Sequence, residues 1–198
     1  MVLLKLVTSE LDHVRDIMKN WTFPWLISGG WAIDLGIGYI TRQHEDIDIC
    51  IYREHTRYLL DYFCGWDIYA AVPGEHRLEA VKSAADLAPP VFCLHLFKEK
   101  QFIEILLTDK IGDNILYRRD PDIRMRTEIF ARTDRYGRVF TAPEMQLLYK
   151  AKEGREKDQQ DFLNYLPYMN SDSRRWLGAA LQKHLPGSPW IPVLSAET

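Results

Sequence analysis

The run Pro24-Trp25-Leu26-Ile27-Ser28-Gly29-Gly30-Trp31-Ala32-Ile33-Asp34-Leu35 constrains the fold more than any other part of this chain. Pro24 to Ser28 reads as a short buried strand and Trp31 to Leu35 as the opening of a helix, so Gly29-Gly30 must turn one directly into the other. Glycines at such a junction let a ligand approach the backbone, and the free N–H groups and positive dipole of the helix start favour a phosphate there. A Gly-Gly pair by itself also serves as a plain turn. Before it, Leu11, Val14, Ile17 and Met18 recur at helical spacing across Thr8 to Asn20, behind a Thr8-Ser9 start that can cap a first turn.

The segment after the second helix, Asp46 to Tyr52, alternates acid with Ile or Cys and predicts a strand. In a strand, residues i and i+2 share a face, so Asp46 and Asp48 project together while Ile47, Ile49 and Ile51 point into the core. Two unpaired carboxylates about 7 Å apart repel and are costly to bury, which a bound divalent cation relieves. Oxygen-only ligands favour Mg2+, with Mn2+ as an alternative, over zinc. The same Asp-x-Asp also describes two exposed acids on an edge strand.

Further along, His55 to Phe63 is helical in pattern, and Trp66–Val72, Val91–Phe97 and Phe102–Thr108 are strand candidates, the last two joined by a hairpin at 98–101. A basic stretch (Arg118, Arg119, Arg124, Arg126) precedes a short hairpin around Tyr136-Gly137-Arg138. Pro143 suits a helix start, and Glu144–Lys152, Asp158–Leu166 and Ser173–Lys183 read as helices before Pro186-Gly187-Ser188-Pro189-Trp190 closes the folded part as a rigid turn. The expected fold is α+β, a small mixed β-sheet with helices over residues 1–140 followed by a helical subdomain over 141–198, with a ligand cleft between them.

Ser28-Gly29-Gly30-Trp31-Ala32, then Thr41-Arg42-Gln43-His44-Glu45-Asp46-Ile47-Asp48, resembles the nucleotidyltransferase superfamily that includes DNA polymerase β. Its nearest branch by this signature is the aminoglycoside 2''-nucleotidyltransferase and lincosamide nucleotidyltransferase group, with Gly-Gly-Trp-Ala, a helix, and Thr-Arg-x-His-x-Asp-x-Asp. The resemblance implies a nucleotidyltransferase core, Mg2+ bound by Asp46 and Asp48, and a third carboxylate on a later neighbouring strand. Glu104 is the candidate, as metal ligand, general base or both, although alternation also allows it to face solvent. Many relatives carry Asp there. The segments around Lys150 and Lys157-Asp158-Gln159-Gln160-Asp161-Phe162 also resemble the family, which makes Lys150 and Lys157 candidates for the triphosphate beside Gly29, Gly30 and Arg42; a solvated charged face is the alternative for either lysine. Arg42 and His44 are either ligand contacts or structural loop contacts.

By this resemblance the chain transfers a nucleoside monophosphate, AMP in the first instance, from ATP or another nucleoside triphosphate to the hydroxyl of a small molecule such as an aminoglycoside- or lincosamide-like antibiotic. An acidic cleft would suit a cationic acceptor. Two other readings stand beside it: a non-catalytic nucleotide-binding or toxin–antitoxin-type partner on the same fold, and a metal-dependent phosphohydrolase. A net charge of -3 supplies no broad basic field, so nucleic acid is not expected as a substrate. Three cysteines imply no disulfide framework, and Met1 to Val7 is too short for a secretory core, so a cytoplasmic protein without membrane contact is expected. Homo-oligomerisation stays open.

Overall fold

A computed structural model describes residues 9–196, so Met1–Val7 and the Thr8 cap lie outside the described residues. Helix α1 (Ser9–Met18) leads into strand β1 (Trp25–Ile27), which passes at Ser28 into α2 (Gly29–Ile37). Strand β2 (Asp48–Tyr52) follows a loop, starting two residues later than its pattern predicts. Residues 55–63, expected as one helix, divide into a 3-10 segment (Arg53–Tyr58) and the short α3 (Leu59–Tyr62). Then come β3 (Asp67–Ala71), β4 (Leu78–Ala80), β5 (Cys93–Lys98) and β6 (Gln101–Thr108), with the predicted hairpin turning between Lys98 and Gln101.

The region after Thr108 holds structure that its pattern left open: β7 (Lys110–Ile111), β8 (Asn114–Tyr117) and β9 (Asp120–Arg126) form a separate three-stranded sheet. Helix α4 (Thr127–Phe130) connects it to the hairpin of β10 (Ala131–Thr133) and β11 (Val139–Thr141). Four helices complete the chain, α5 (Pro143–Glu153), α6 (Glu156–Tyr165), α7 (Ser171–His184) and α8 (Trp190–Ser195). The Pro186–Trp190 turn is therefore not the end of the folded part. Trp190 and Leu194 of α8 are buried, and the Trp190 ring stacks on Phe162 at 4.2 Å between centroids.

The main sheet is mixed, in the order β10-β11-β1-β2-β6-β5-β3-β4, with β1–β11 and β2–β6 parallel. Both of its faces are covered, and strand alternation decides which residue serves which side. Ile49, Ile51, Leu94, Leu96, Ile103 and Ile105 pack with Val14 and Met18 of α1 and Leu59 and Phe63. The alternate β2 residues Cys50 and Tyr52 join Ile33 of α2 and Leu147, Phe162, Leu177 and Trp190 of the C-terminal helices on the other side. One apolar cluster thus includes residues from both the sheet and the helices that follow Pro143. Asp48, in alternation with Cys50, faces that helical side at the start of its strand.

Candidate functional site

The parallel pairing of β2 with β6 sets Asp48 directly opposite Glu104, and the antiparallel pairing of β6 with β5 sets His95 opposite Glu104 in turn. Three polar side chains thereby share one row and one face of a sheet whose intervening positions are apolar. Asp48 is hydrogen-bonded to Glu104, and burial, reinforced by the charges of Glu104 and Asp46, holds its carboxyl well above the usual carboxylate range. Two carboxyl groups this close repel when both are charged, a cost that a bound cation would relieve. The Cys93 thiol donates to Glu104 Oε1 at 3.3 Å, and His95 Nε2 lies 3.5 Å from Oε2.

Facing this row is the start of α2. Gly29 has φ +58°, and a Cβ there would lie 1.8 Å from Asp48 Oδ2, so both conformation and space require glycine. Its N–H donates to Gln146 Oε1 at 3.1 Å, while Ser28 N–H donates to the Asp48 carbonyl at 2.8 Å. Gly30 makes room for a different neighbour: a Cβ there would meet Arg42 Nη2 at 2.5 Å and His44 Nδ1 at 2.7 Å. The 41–44 loop is pinned against α2 through buried Asp34, which accepts from Thr41 Oγ1 at 2.6 Å and lies 2.7 Å from His44 Nε2. His44 also packs on the Trp31 ring at 4.5 Å, and Trp31 Nε1 donates to the Asp46 carbonyl. The Trp and His of the signature are thus parts of one loop clamp.

The expected site residues separate into two groups. Gly29, Asp48, Glu104 and Lys150 line a single cavity of about 240 Å³ together with Gln146 and Arg118. Asp46 precedes β2 and is exposed, its carbonyl accepts from the Trp31 indole, and its charge reaches Asp48. Arg42 is occupied, donating through Nε and Nη2 to both oxygens of fully buried Asp161 at 2.8 and 3.0 Å. Lys150 is 3.0 Å from Asp161 and 3.2 Å from Asp158, so the same buried acids hold the cavity lysine at its edge. Lys157 lies exposed outside the cavity, 3.8 Å from Glu45.

Oxygen donors at Asp48 and Glu104 fit a hard divalent cation, whose charge would offset theirs. Asp46 does not complete the set: among the described residues, the one trio of potential ligands gathered within 4.8 Å is Cys93, His95 and Glu104. The cavity is also not acidic, since Arg118, Arg119, Lys150 and Arg155 line it alongside Asp48, Glu104 and Glu153. Arg118 is the cation in it with no carboxylate partner among the described residues; its guanidinium lies over Phe92 and Tyr149, 5.4 and 5.5 Å from the ring centroids. Sequence reading left Gln146, His95, Cys93 and Arg118 out of the site. The signals were the Arg118-Arg119 pair in a basic stretch and the hairpin at 98–101, whose register sets His95 opposite Glu104; Gln146 arrives from α5 with no local mark.

Residues 10–72 match the family model of aminoglycoside-2''-adenylyltransferase. A lincosamide resistance protein from Staphylococcus haemolyticus is 33% identical over 48 residues, which cover 24% of this chain and 30% of that protein, so the match spans under a third of the relative's length. Among solved structures, the lincomycin-bound lincosamide antibiotic adenylyltransferase LnuA superposes with a TM-score of 0.58 at 20% identity, over 83% of this chain and 99% of that one. The antibiotic-resistance factor ANT(2'')-Ia in solution gives 0.60 at 14% identity over 88% and 90% of the two chains. Its complex with adenylyl-2''-tobramycin gives 0.52 at 15% identity over 96% of each. The α+β expectation and the resemblance to the nucleotidyltransferase group are both borne out, and the fold is theirs.

Proposed function

From the nucleotidyltransferase fold and the family match over residues 10–72, we propose that this chain transfers a nucleoside monophosphate, AMP first of all, from a nucleoside triphosphate to a hydroxyl of a small molecule. The observation that carries the reading is the Asp48–Glu104 pair, set in register on two parallel strands and facing the Gly29 turn and Lys150 across one cavity. Magnesium held by Asp48 and Glu104, with Asp46 near enough to add its charge, would offset charge on the phosphates and on departing pyrophosphate.

The chain's own groups supply the rest. The backbone at Gly29 and Gly30 and the start of α2 receive the phosphates, and Lys150, anchored by Asp158 and Asp161, meets them from α5. Arg118 takes the phosphate contact expected of Arg42, because Arg42 is committed to Asp161 whereas Arg118 is not committed to any acid among the described residues. Glu104 accepts the acceptor hydroxyl's proton as the oxygen attacks the α-phosphorus; the bond to pyrophosphate breaks as the new phosphodiester forms. A mixed, partly apolar cavity with Phe92, Leu106 and Met145 in its wall favours a lincosamide-like acceptor over a polycationic aminoglycoside.

The test is incubation with Mg2+, each nucleoside triphosphate and a panel of lincosamides and aminoglycosides, with adducts read by mass spectrometry and pyrophosphate by a coupled assay. A nucleotide adduct that disappears in Asp48→Asn is the expected result. Nucleotide binding without pyrophosphate release under any condition would support the alternative of a non-catalytic nucleotide-binding partner. Release of phosphate to water without an adduct would indicate a hydrolase.

A further inference from the structure

We infer that Cys93, His95 and Glu104 form a site for a borderline-soft transition metal, with Zn2+ as its natural occupant. Its ligand set is distinct from that of the magnesium reading and overlaps it at one residue. Cys93 and His95 stand two apart on β5 and so share a face, and Glu104 is the direct cross-strand partner of His95 on β6. Two rigid, paired strands therefore present a sulfur, a nitrogen and an oxygen ligand without any loop having to close.

The spacing is within about 1 Å of what a tetrahedral ion needs. Bonds of about 2.0–2.3 Å to zinc put neighbouring ligand atoms roughly 3.3–3.8 Å apart. Cys93 Sγ is 3.3 Å from Glu104 Oε1 and His95 Nε2 is 3.5 Å from Oε2, with all three residues' ligand atoms within 4.8 Å of one another. Each carboxylate oxygen thus faces one of the other two ligands. His95 and Glu104 are partly open to solvent, with side chains 27% and 21% exposed, which leaves an entry path and a fourth position for water. Three mixed N, S and O ligands select against magnesium and calcium, which take oxygen alone.

On binding, the Cys93 thiol gives its proton to solvent as the sulfur–metal bond forms, and the hydrogen bond it donates to Glu104 is replaced by the shared ion. The thiolate and the carboxylate then balance the two charges of the ion, although Arg118 stands near the thiol. If the transfer reading holds, zinc here occupies the carboxylate needed as base and arrests transfer, and chelation restores it. That consequence rests on the transfer reading; the binding does not.

The experiment is Co2+ titration of the full chain in chelator-treated buffer, without nucleotide, followed by displacement with Zn2+. One equivalent of Co2+ is expected to give a thiolate-to-cobalt charge-transfer band and intense tetrahedral d–d bands, both erased by Zn2+. Cys93→Ser removes the charge-transfer band and weakens zinc at least about 100-fold, while Cys64→Ser, at an exposed cysteine elsewhere, changes nothing. His95→Ala, read alongside, keeps the band but loses at least about 10-fold in affinity, and stands as the deciding variant if Cys93→Ser does not fold. No charge-transfer band in the native chain, a band that survives Cys93→Ser, or unchanged zinc affinity in His95→Ala overturns the site. Because no turnover is read, a chain that transfers nothing still passes or fails this test.

Discussion

Gly29 carries two demands at once, a left-handed backbone and an empty space where Asp48 sits, and each alone would exclude a side chain. Gly29→Ala is expected to lose at least about 1 kcal/mol from the backbone conformation, with the displaced Asp48 adding more, and to lower transfer by roughly 100-fold through misplacement of the phosphates; urea midpoints and adduct yield measure the two. Asp48 predicts an opposite stability effect. Its carboxyl titrates above the ordinary value of 3.8, so between that value and the raised one the folded chain binds more protons than the unfolded chain, and stability falls as pH rises through the window. Asp48→Asn removes this loss: without metal it is expected to melt higher than the native chain at pH 7, with the two converging as pH falls to the ordinary carboxylate range. Equal melting at pH 7 would show that Asp48 costs the fold nothing. At this scale the sequence disclosed the identity of Gly29, Asp48 and Glu104 but not their meeting, because a parallel pairing across 56 positions leaves no local mark.

Elements explain why some expected residues are elsewhere. Helix α6 brings Asp161 into the interior, where it accepts from Arg42 of the signature loop and pairs with Lys150 of α5, so one buried acid joins three segments. Asp161→Asn leaves Arg42 without its buried partner and Lys150 with Asp158 alone, and is expected to cost about 3–5 kcal/mol, seen as a drop in melting temperature of roughly 6–20 °C. Lys157→Ala, on the exposed face of the same helix, should change stability by less than about 0.5 kcal/mol. Helix α8 was illegible because Pro186 to Trp190 carries every sign of a chain stop; what continues the fold is Trp190 finding Phe162, a contact across helices. Trp190→Ala is expected to cost about 3–5 kcal/mol in chemical denaturation. The β5–β6 hairpin and the Pro143 helix start were legible since each depends on its own residues, whereas β7 to β9 were not, β7 having two residues, β8 four and β9 a mostly charged run, each marginal alone.

On the scale of the whole molecule, a mixed sheet covered on both faces holds its apolar residues inside and presents one polar row to the cavity where α2, α5 and β6 meet. The described residues include no helix long and apolar enough to cross a membrane. A ligand that binds this cavity in the folded chain alone must raise its melting temperature, by about 2.7 kcal/mol of added stability at 100 times its dissociation constant. The magnesium site proposed above has Asp48 and Glu104 together holding the divalent cation beside the nucleotide. Its most direct measurement is a crystal of the chain with Mn2+ and a non-hydrolysable nucleoside triphosphate, diffracted at the manganese edge. An anomalous peak bonded to Asp48 and Glu104 is expected, with the triphosphate against Gly29 and Gly30; manganese away from that pair, or nucleotide bound with neither carboxylate on its metal, would overturn the assignment.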